Sequence, residues 1–155
     1  MLLQRIRSTR PDRLAGVIRI LLGALFVMTG AMKLVVPVLG EAFAGQLAAA
    51  NIPLQELNRW AVPFLELGVG GALLMGLYAR VATLRVLNIM VVATYVHLVV
   101  DDPSLFPLQP VQPIIPAVVM VLSVYLLWRG AGSWSLDLEN VRSLRAGLPR
   151  EGVQS

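Results

Sequence analysis

The chain has 155 residues, 57% hydrophobic and only 14% charged, which is too little polar surface for a soluble domain and makes lipid the expected solvent. It contains no cysteine and a single histidine, His97, which excludes disulfides, iron–sulfur ligation, a bis-histidine haem and a His-rich metal site built by one copy. The net charge of +4 arises largely from arginines beside apolar blocks, where basic residues orient membrane segments, so nucleic acid is not an expected partner.

Four apolar blocks follow a basic tail, and each is close to the roughly 20 residues that a helix needs to cross the hydrocarbon core. The predicted spans cover residues of about 14–36, 60–78, 80–100 and 113–129. Helices are required because the bilayer offers no water to satisfy backbone groups. The sequence therefore predicts an all-α integral membrane four-helix bundle over residues 14–130, between a basic tail (1–13) and a second tail (131–155).

Two further segments are predicted to lie on the membrane surface as short interfacial helices. The first, Gly40 to Ala50, follows span one and is small and apolar apart from Glu41 and Gln46. The second follows span four, behind Asp137 as a predicted N-cap. Its apolar residues recur at helical spacing beside two arginines: Leu138, Val141, Leu144 and Leu148.

The charges of the loops alternate in sign along the chain. The N-terminal tail is basic, the first loop carries Glu41 and Glu56, the second turn carries Arg80, the third loop carries Asp101 and Asp102, and the C-terminal tail is basic again. Basic loops stay in the cytoplasm. Both termini are therefore predicted to be cytoplasmic, in a multi-pass protein.

An alternative interpretation takes residues 1–32 as a cleaved signal peptide. The basic start and the apolar run fit that interpretation. However, the run continues past Lys33 without a short polar cleavage region, and the nearest Ala-x-Ala, Ala48 to Ala50, lies far downstream. A first transmembrane span is the favoured interpretation.

Three ionisable residues fall in the outer half of the predicted bilayer, namely Lys33, Glu66 and His97. Glu66 would lie roughly 9 Å below the outer end of its span, so it needs a partner or a proton. One interpretation is a structural ion pair with Lys33. The other is a ligand- or proton-handling site for a quinone, with Lys33 or His97 as donor, Glu66 as proton relay, and Phe26 or Tyr95 as ring wall.

Glycines, charged residues and large apolar residues recur at steps of three and four in the first two spans, which keeps them on one side of each helix. They are Arg19, Gly23, Phe26, Gly30 and Lys33 in span one, and Glu66, Gly70, Leu73, Leu77 and Arg80 in span two. Glycines on such a stripe allow two helices to approach closely in lipid.

Polar residues nearer the cytoplasmic side have simpler predicted roles. Arg19, Arg80, Arg85 and Arg129 are predicted to form a basic belt that contacts lipid headgroups. Asn88, in the third span, is predicted to make a hydrogen bond to another helix.

The chain resembles the DoxX family of small bacterial membrane proteins in three motifs. These are Arg19-x3-Gly23-x2-Phe26-x3-Gly30-x2-Lys33, then Glu66-x3-Gly70-Gly71-x-Leu73-x2-Gly76-x3-Arg80, and finally Gly130-Ala131-Gly132-Ser133-Trp134-Ser135-Leu136-Asp137. The resemblance implies a four-helix bundle in the bacterial inner membrane and an association with redox systems. The charged positions of the family motifs that this sequence matches are Arg19, Lys33, Glu66, Arg80 and Asp137.

Three functions follow as hypotheses. The first is a small non-catalytic or quinone-associated subunit of a membrane redox complex. The second is a scaffold or assembly factor for other membrane proteins, and the third is a small-solute or proton transporter. No intrinsic cofactor is expected, and quinone is the one ligand considered, so the chain is not expected to be an enzyme on its own. The expected partners are the lipid bilayer and proteins of a redox complex, with a homo-oligomer left open.

Overall fold

A computed structural model describes residues 11–100 and 113–139, and within these ranges all regular structure is helical. The prediction of an all-helical chain is therefore confirmed for the described residues. The helices are α1 (Arg13–Val35), α2 (Pro37–Ala49), α3 (Gln55–Met75), α4 (Ala79–Val99) and α5 (Ile114–Arg129).

Two of the described helices, α1 and α4, are long and apolar enough to cross a membrane. α5 is apolar but shorter, at 16 residues. α3 has 21 residues and is more polar, because its first turns carry Glu56 and Arg59 and its middle carries Glu66. Much of α4 is exposed apolar surface, which suits contact with lipid better than the core of a soluble protein.

The ends of the helices follow local chemistry. α2 begins at Pro37, because proline is favoured in the first turn of a helix, where its missing N–H is not needed. α3 ends at Met75 because Gly76 adopts a left-handed conformation with φ of 66°. α3 therefore begins earlier and ends earlier than the predicted span 60–78. The predicted interfacial helix after span four lies mostly outside the described residues.

α1 packs most extensively against α3, and α4 against α5. α1 and α3 run antiparallel and meet at Gly23 and Gly70. A Cβ atom on Gly23 would lie 2.9 Å from the Gly70 carbonyl oxygen, and one on Gly70 would lie 2.8 Å from the Gly23 oxygen. The two glycines therefore set the separation of these helices, as the stripes of small residues suggest.

The apolar core lies between these helix pairs and includes Leu22, Phe26, Leu73, Val86 and Leu126. At one end of the bundle, three segments meet: the start of α1, the turn between α3 and α4, and the segment 130–137 that follows α5. The Lys33–Glu66 contact lies toward the other end.

Candidate functional site

Lys33 and Glu66 form an ion pair between α1 and α3. Lys33 Nζ lies 2.6 Å from Glu66 Oε1, with 13% and 4% of the two side chains exposed. Gly30, one turn before Lys33, allows this approach: a Cβ there would lie 2.8 Å from the Pro63 carbonyl oxygen. Removing one partner of a pair this well buried is destabilising, because the other charge is left buried without a counter-charge.

α2 covers the Lys33 side of the pair. Lys33 Nζ lies 4.7 Å from the centre of the Phe43 ring, a cation–π distance. The chain can fold back here because Gly40 packs on the backbone of Lys33, where a Cβ would lie 2.7 Å from the Lys33 carbonyl oxygen. Sequence reasoning missed Phe43, because its contact depends on the direction the chain takes at Pro37.

The second carboxylate oxygen of the pair, Glu66 Oε2, is buried and has no hydrogen-bond partner among the described residues. The hydroxyl of Thr29 lies beside this carboxyl group, but it is directed at the Phe26 carbonyl oxygen, 3.3 Å away. Buried polar atoms nearly always have a partner. Glu66 Oε2 therefore has unused acceptor capacity, which a ligand donor, a proton or a rotated Thr29 hydroxyl could fill.

The other predicted ligand-binding residues lie elsewhere. Phe26 is part of the core, and Tyr95 is exposed on α4. His97 Nδ1 lies 2.8 Å from the Ala93 carbonyl oxygen of its own helix, so an Nδ1–H donates within α4. The described contacts thus bring together Lys33 and Glu66.

Arg19 does not contact headgroups, and that prediction is wrong. The side chain is fully buried and donates only to backbone carbonyls. Nε donates to Ala131 O at 2.9 Å and Nη2 to Trp134 O at 2.9 Å. Nη1 donates to Leu74 O at 2.7 Å and also to Leu73 O. The guanidinium therefore donates to carbonyls in the last turn of α3, one of which, Leu73 O, also accepts the Gly76 N–H at 3.0 Å, and it ties them to the segment after α5.

Asp137 caps a different helix from the one predicted. Its carboxylate, buried in the same region, accepts the backbone N–H groups of Tyr78 at 3.1 Å and Ala79 at 3.0 Å, at the start of α4. Residues 136–139 are also helical, and this short stretch, which contains Asp137, is capped by Ser135, whose Oγ accepts from the Leu138 N–H at 3.2 Å. Asp137 lies inside that helix, and its side chain points instead at α4, which has no cap of its own.

Gly76 admits the segment after α5 into this end of the bundle. A Cβ on Gly76 would lie 2.4 Å from the Ser135 Cβ, and the left-handed backbone there disfavours any other residue. The Gly76 carbonyl accepts the Asp137 N–H at 3.0 Å. We call Arg19, Gly76, Ser135 and Asp137 the end cluster.

Asp12 fastens the start of α1 to α5. Its carboxylate accepts the N–H groups of Leu14 and Ala15, which lowers its pKa, and it also accepts the Tyr125 hydroxyl at 3.0 Å. Arg129 Nε lies 3.2 Å from the same carboxylate.

The predicted basic belt is therefore divided in the structure. Arg19 is buried and Arg129 pairs with Asp12, while Arg80 Nη2 lies 3.4 Å from the Trp128 carbonyl oxygen. Arg85 is exposed on α4.

A family model described as DoxX matches residues 14–98 of the chain, from α1 through almost all of α4. The matched stretch contains Arg19, the Lys33–Glu66 pair and Gly76, but not the segment 130–137. No curated protein and no solved structure matches the chain.

Proposed function

Because the chain belongs to the DoxX family, we propose that it is a four-span subunit of a membrane redox complex that supplies no catalytic group of its own. One observation carries the non-catalytic part of this proposal. The ion pair at the outer end is closed, since both charges neutralise each other at 2.6 Å under α2. The redox association rests on family membership.

Among the four proposed spans, α3 is the one whose composition needs an explanation, because it carries Glu66 at its middle. A lone carboxylate in hydrocarbon is costly, whereas a carboxylate paired with a lysine of the adjacent helix is tolerated. The Lys33–Glu66 pair therefore supports α3 as a membrane span, beside α1, α4 and the shorter α5.

The proposed topology places both termini in the cytoplasm. It is supported by the meeting of the start of α1, the α3–α4 turn and the segment 130–137 at one end of the bundle, together with the basic tails. The connection between α2 and α3 then lies outside.

The chain contains no cysteine, so single cysteines can test this topology without background. We expect Asn51→Cys to react with a membrane-impermeant maleimide in intact spheroplasts. Trp134→Cys, also exposed, should react only after the membrane is permeabilised. Labelling of Trp134→Cys in intact spheroplasts would overturn the cytoplasmic C-terminal side.

The subunit role is tested by isolating the tagged chain from its own host in a mild detergent, followed by native mass spectrometry and a visible absorption spectrum. We expect recovery with a partner that contains a redox centre, and we expect the chain alone to show no redox absorption. Recovery only with membrane proteins that lack redox centres would favour the scaffold hypothesis instead.

A quinone-associated role is the second candidate, and it is favoured by one observation on the Glu66 carboxylate. Glu66 Oε2 has no described partner, and a hydroquinone hydroxyl is a donor that would satisfy it. Lys33 would keep the carboxylate charged, and Phe43 would lie against the ring. The Phe43 side chain must move for a ligand to enter, because α2 covers the pair.

For this second candidate we expect a short-chain hydroquinone to bind the purified protein, with binding weakened about 10-fold in Glu66→Gln. Loss of a hydrogen bond to a charged acceptor has this size. Titration calorimetry measures it, with Glu56→Gln, on the exposed first turn of α3, as the control that should not change. Equal binding by both variants, or none by the wild type, would reject this role.

A further inference from the structure

Asn88 lies close to the middle of α4, with nine helical residues before it and eleven after. At 1.5 Å per residue it is about 14 Å from one end of the helix and about 16 Å from the other. The side chain is exposed and has no hydrogen bond to any residue that the structure describes. The described helices of this chain therefore do not supply the predicted interhelical bond, because α4 packs on them with its other face, which includes Ala82, Thr83 and Val86.

The exposed amide of Asn88 differs from the residues that α1 and α5 expose. The exposed residues of α1 beyond its first turn and of α5 are all apolar, as expected of surfaces that face lipid. An unsatisfied amide at the centre of the hydrocarbon core is unfavourable because no water is available to it. Since no residue of 11–100 or 113–139 bonds to Asn88, we expect a group beyond these residues to do so.

The exposed residues around Asn88 have a regular spacing. They follow one another at steps of three and four residues, which is the 3.5-residue period of a left-handed helix pair. The set, which we call the α4 seam, is Val81, Leu84, Asn88, Val91, Tyr95 and Leu98. An asparagine at one core position of such a seam fixes register and the number of helices in coiled coils.

We propose that the α4 seam is a dimer interface and that its occupant is α4 of a second copy of this chain. In a dimer with its two-fold axis along the membrane normal, the two Asn88 residues lie at the same depth. An amide carries both donors and an acceptor, so two of them are complementary to each other. Another protein would need a polar group of its own at that depth, whereas a second copy supplies it by symmetry.

Arg85 does not oppose this arrangement. It lies beside the seam rather than on it, and it is nearer the start of α4, where a long side chain reaches the cytoplasmic headgroups. The proposal rests on α4 crossing the membrane and not on the redox role, so the two can fail separately.

Cross-linking of the full-length protein in liposomes tests the geometry. We expect Leu84→Cys and Val91→Cys to form intermolecular disulfides on mild oxidation. Val121→Cys, equally apolar and exposed on α5, is the matched control and should remain monomeric. Equal cross-linking at all three positions would reflect random collision and would overturn the proposal.

Energy transfer between labelled copies, measured against the lipid-to-protein ratio, tests the role of the amide. We expect Asn88→Leu to raise the dissociation constant about 3- to 30-fold, the effect of an interhelical hydrogen bond in a membrane. Asn88→Gln, which keeps an amide, should lie close to the wild type, as should Val121→Leu.

Unchanged circular dichroism and a single elution peak would show that each variant is folded. A wild-type protein that stays monomeric at every ratio would overturn the dimer. If Asn88→Leu left the dimerisation unchanged, the α4 seam would not be the dimer interface.

Discussion

Replacing Lys33 by methionine is expected to destabilise the protein by about 3–5 kcal/mol, because it leaves Glu66 buried without its counter-charge. Methionine keeps the length and apolar stem of lysine, so the loss reports the charge rather than a cavity. Thermal unfolding in detergent, followed by circular dichroism, measures it, and the amount of protein in membranes should fall in parallel.

The double variant Lys33→Met, Glu66→Gln is the matched control for this prediction. It removes both charges together, so we expect most of the stability to return. The charge swap, Lys33→Glu with Glu66→Lys, separates structure from function. If the ion pair only holds α1 against α3, the swapped protein should retain both stability and partner binding. If Glu66 binds a ligand, the swap should restore stability alone.

If the single variant Lys33→Met were as stable as the wild type, the ion pair would not be what keeps α1 and α3 together. That result would mean that Glu66 is satisfied by another group.

Replacing Arg19 by methionine is the second change with a large expected effect. The guanidinium satisfies four backbone carbonyls on α3 and on the segment after α5. Leu73 O keeps the Gly76 N–H, whereas each of the other three carbonyls left without a donor costs about 1–3 kcal/mol, so we expect a loss of about 3 kcal/mol or more. Hydrogen exchange should also rise at Tyr78 and Ala79, because Asp137 loses its fixed position.

Two further variants make this prediction specific. Arg19→Lys keeps the charge but has a point-like donor in place of the planar fork, so we expect it to recover only part of the loss. Arg85→Met, which removes an exposed arginine from α4, should change stability by less than about 0.5 kcal/mol. Equal effects at Arg19 and Arg85 would mean that the end cluster contributes nothing particular.

The helical architecture could be predicted from the sequence because it depends on local patterns. Apolar blocks of sufficient length define helices, and glycines spaced by three and four residues mark where helices approach. Gly23 and Gly70 meet in the structure for that reason. The pairing of Lys33 with Glu66 is likewise a consequence of two charged residues at matching depth on adjacent helices.

The end cluster could not be predicted in the same way. The partners of Arg19 and Asp137 are backbone atoms, which every residue type has, so the sequence does not single them out. They also lie more than 50 positions away along the chain. An arginine near the end of an apolar block therefore indicates headgroup contact until the chain is folded. Phe43 was missed for a related reason, since its contact with Lys33 depends on one turn.

The bonds of Arg19 also bear on the order of biogenesis. Two of its acceptors, Ala131 and Trp134, are more than 110 residues further along the chain, so they leave the ribosome long after α1 has entered the bilayer. Until then, the guanidinium has at most the two carbonyls of α3 available. We therefore expect the nascent bundle to stay vulnerable to quality-control proteases until α5 and the segment 130–137 have been translated.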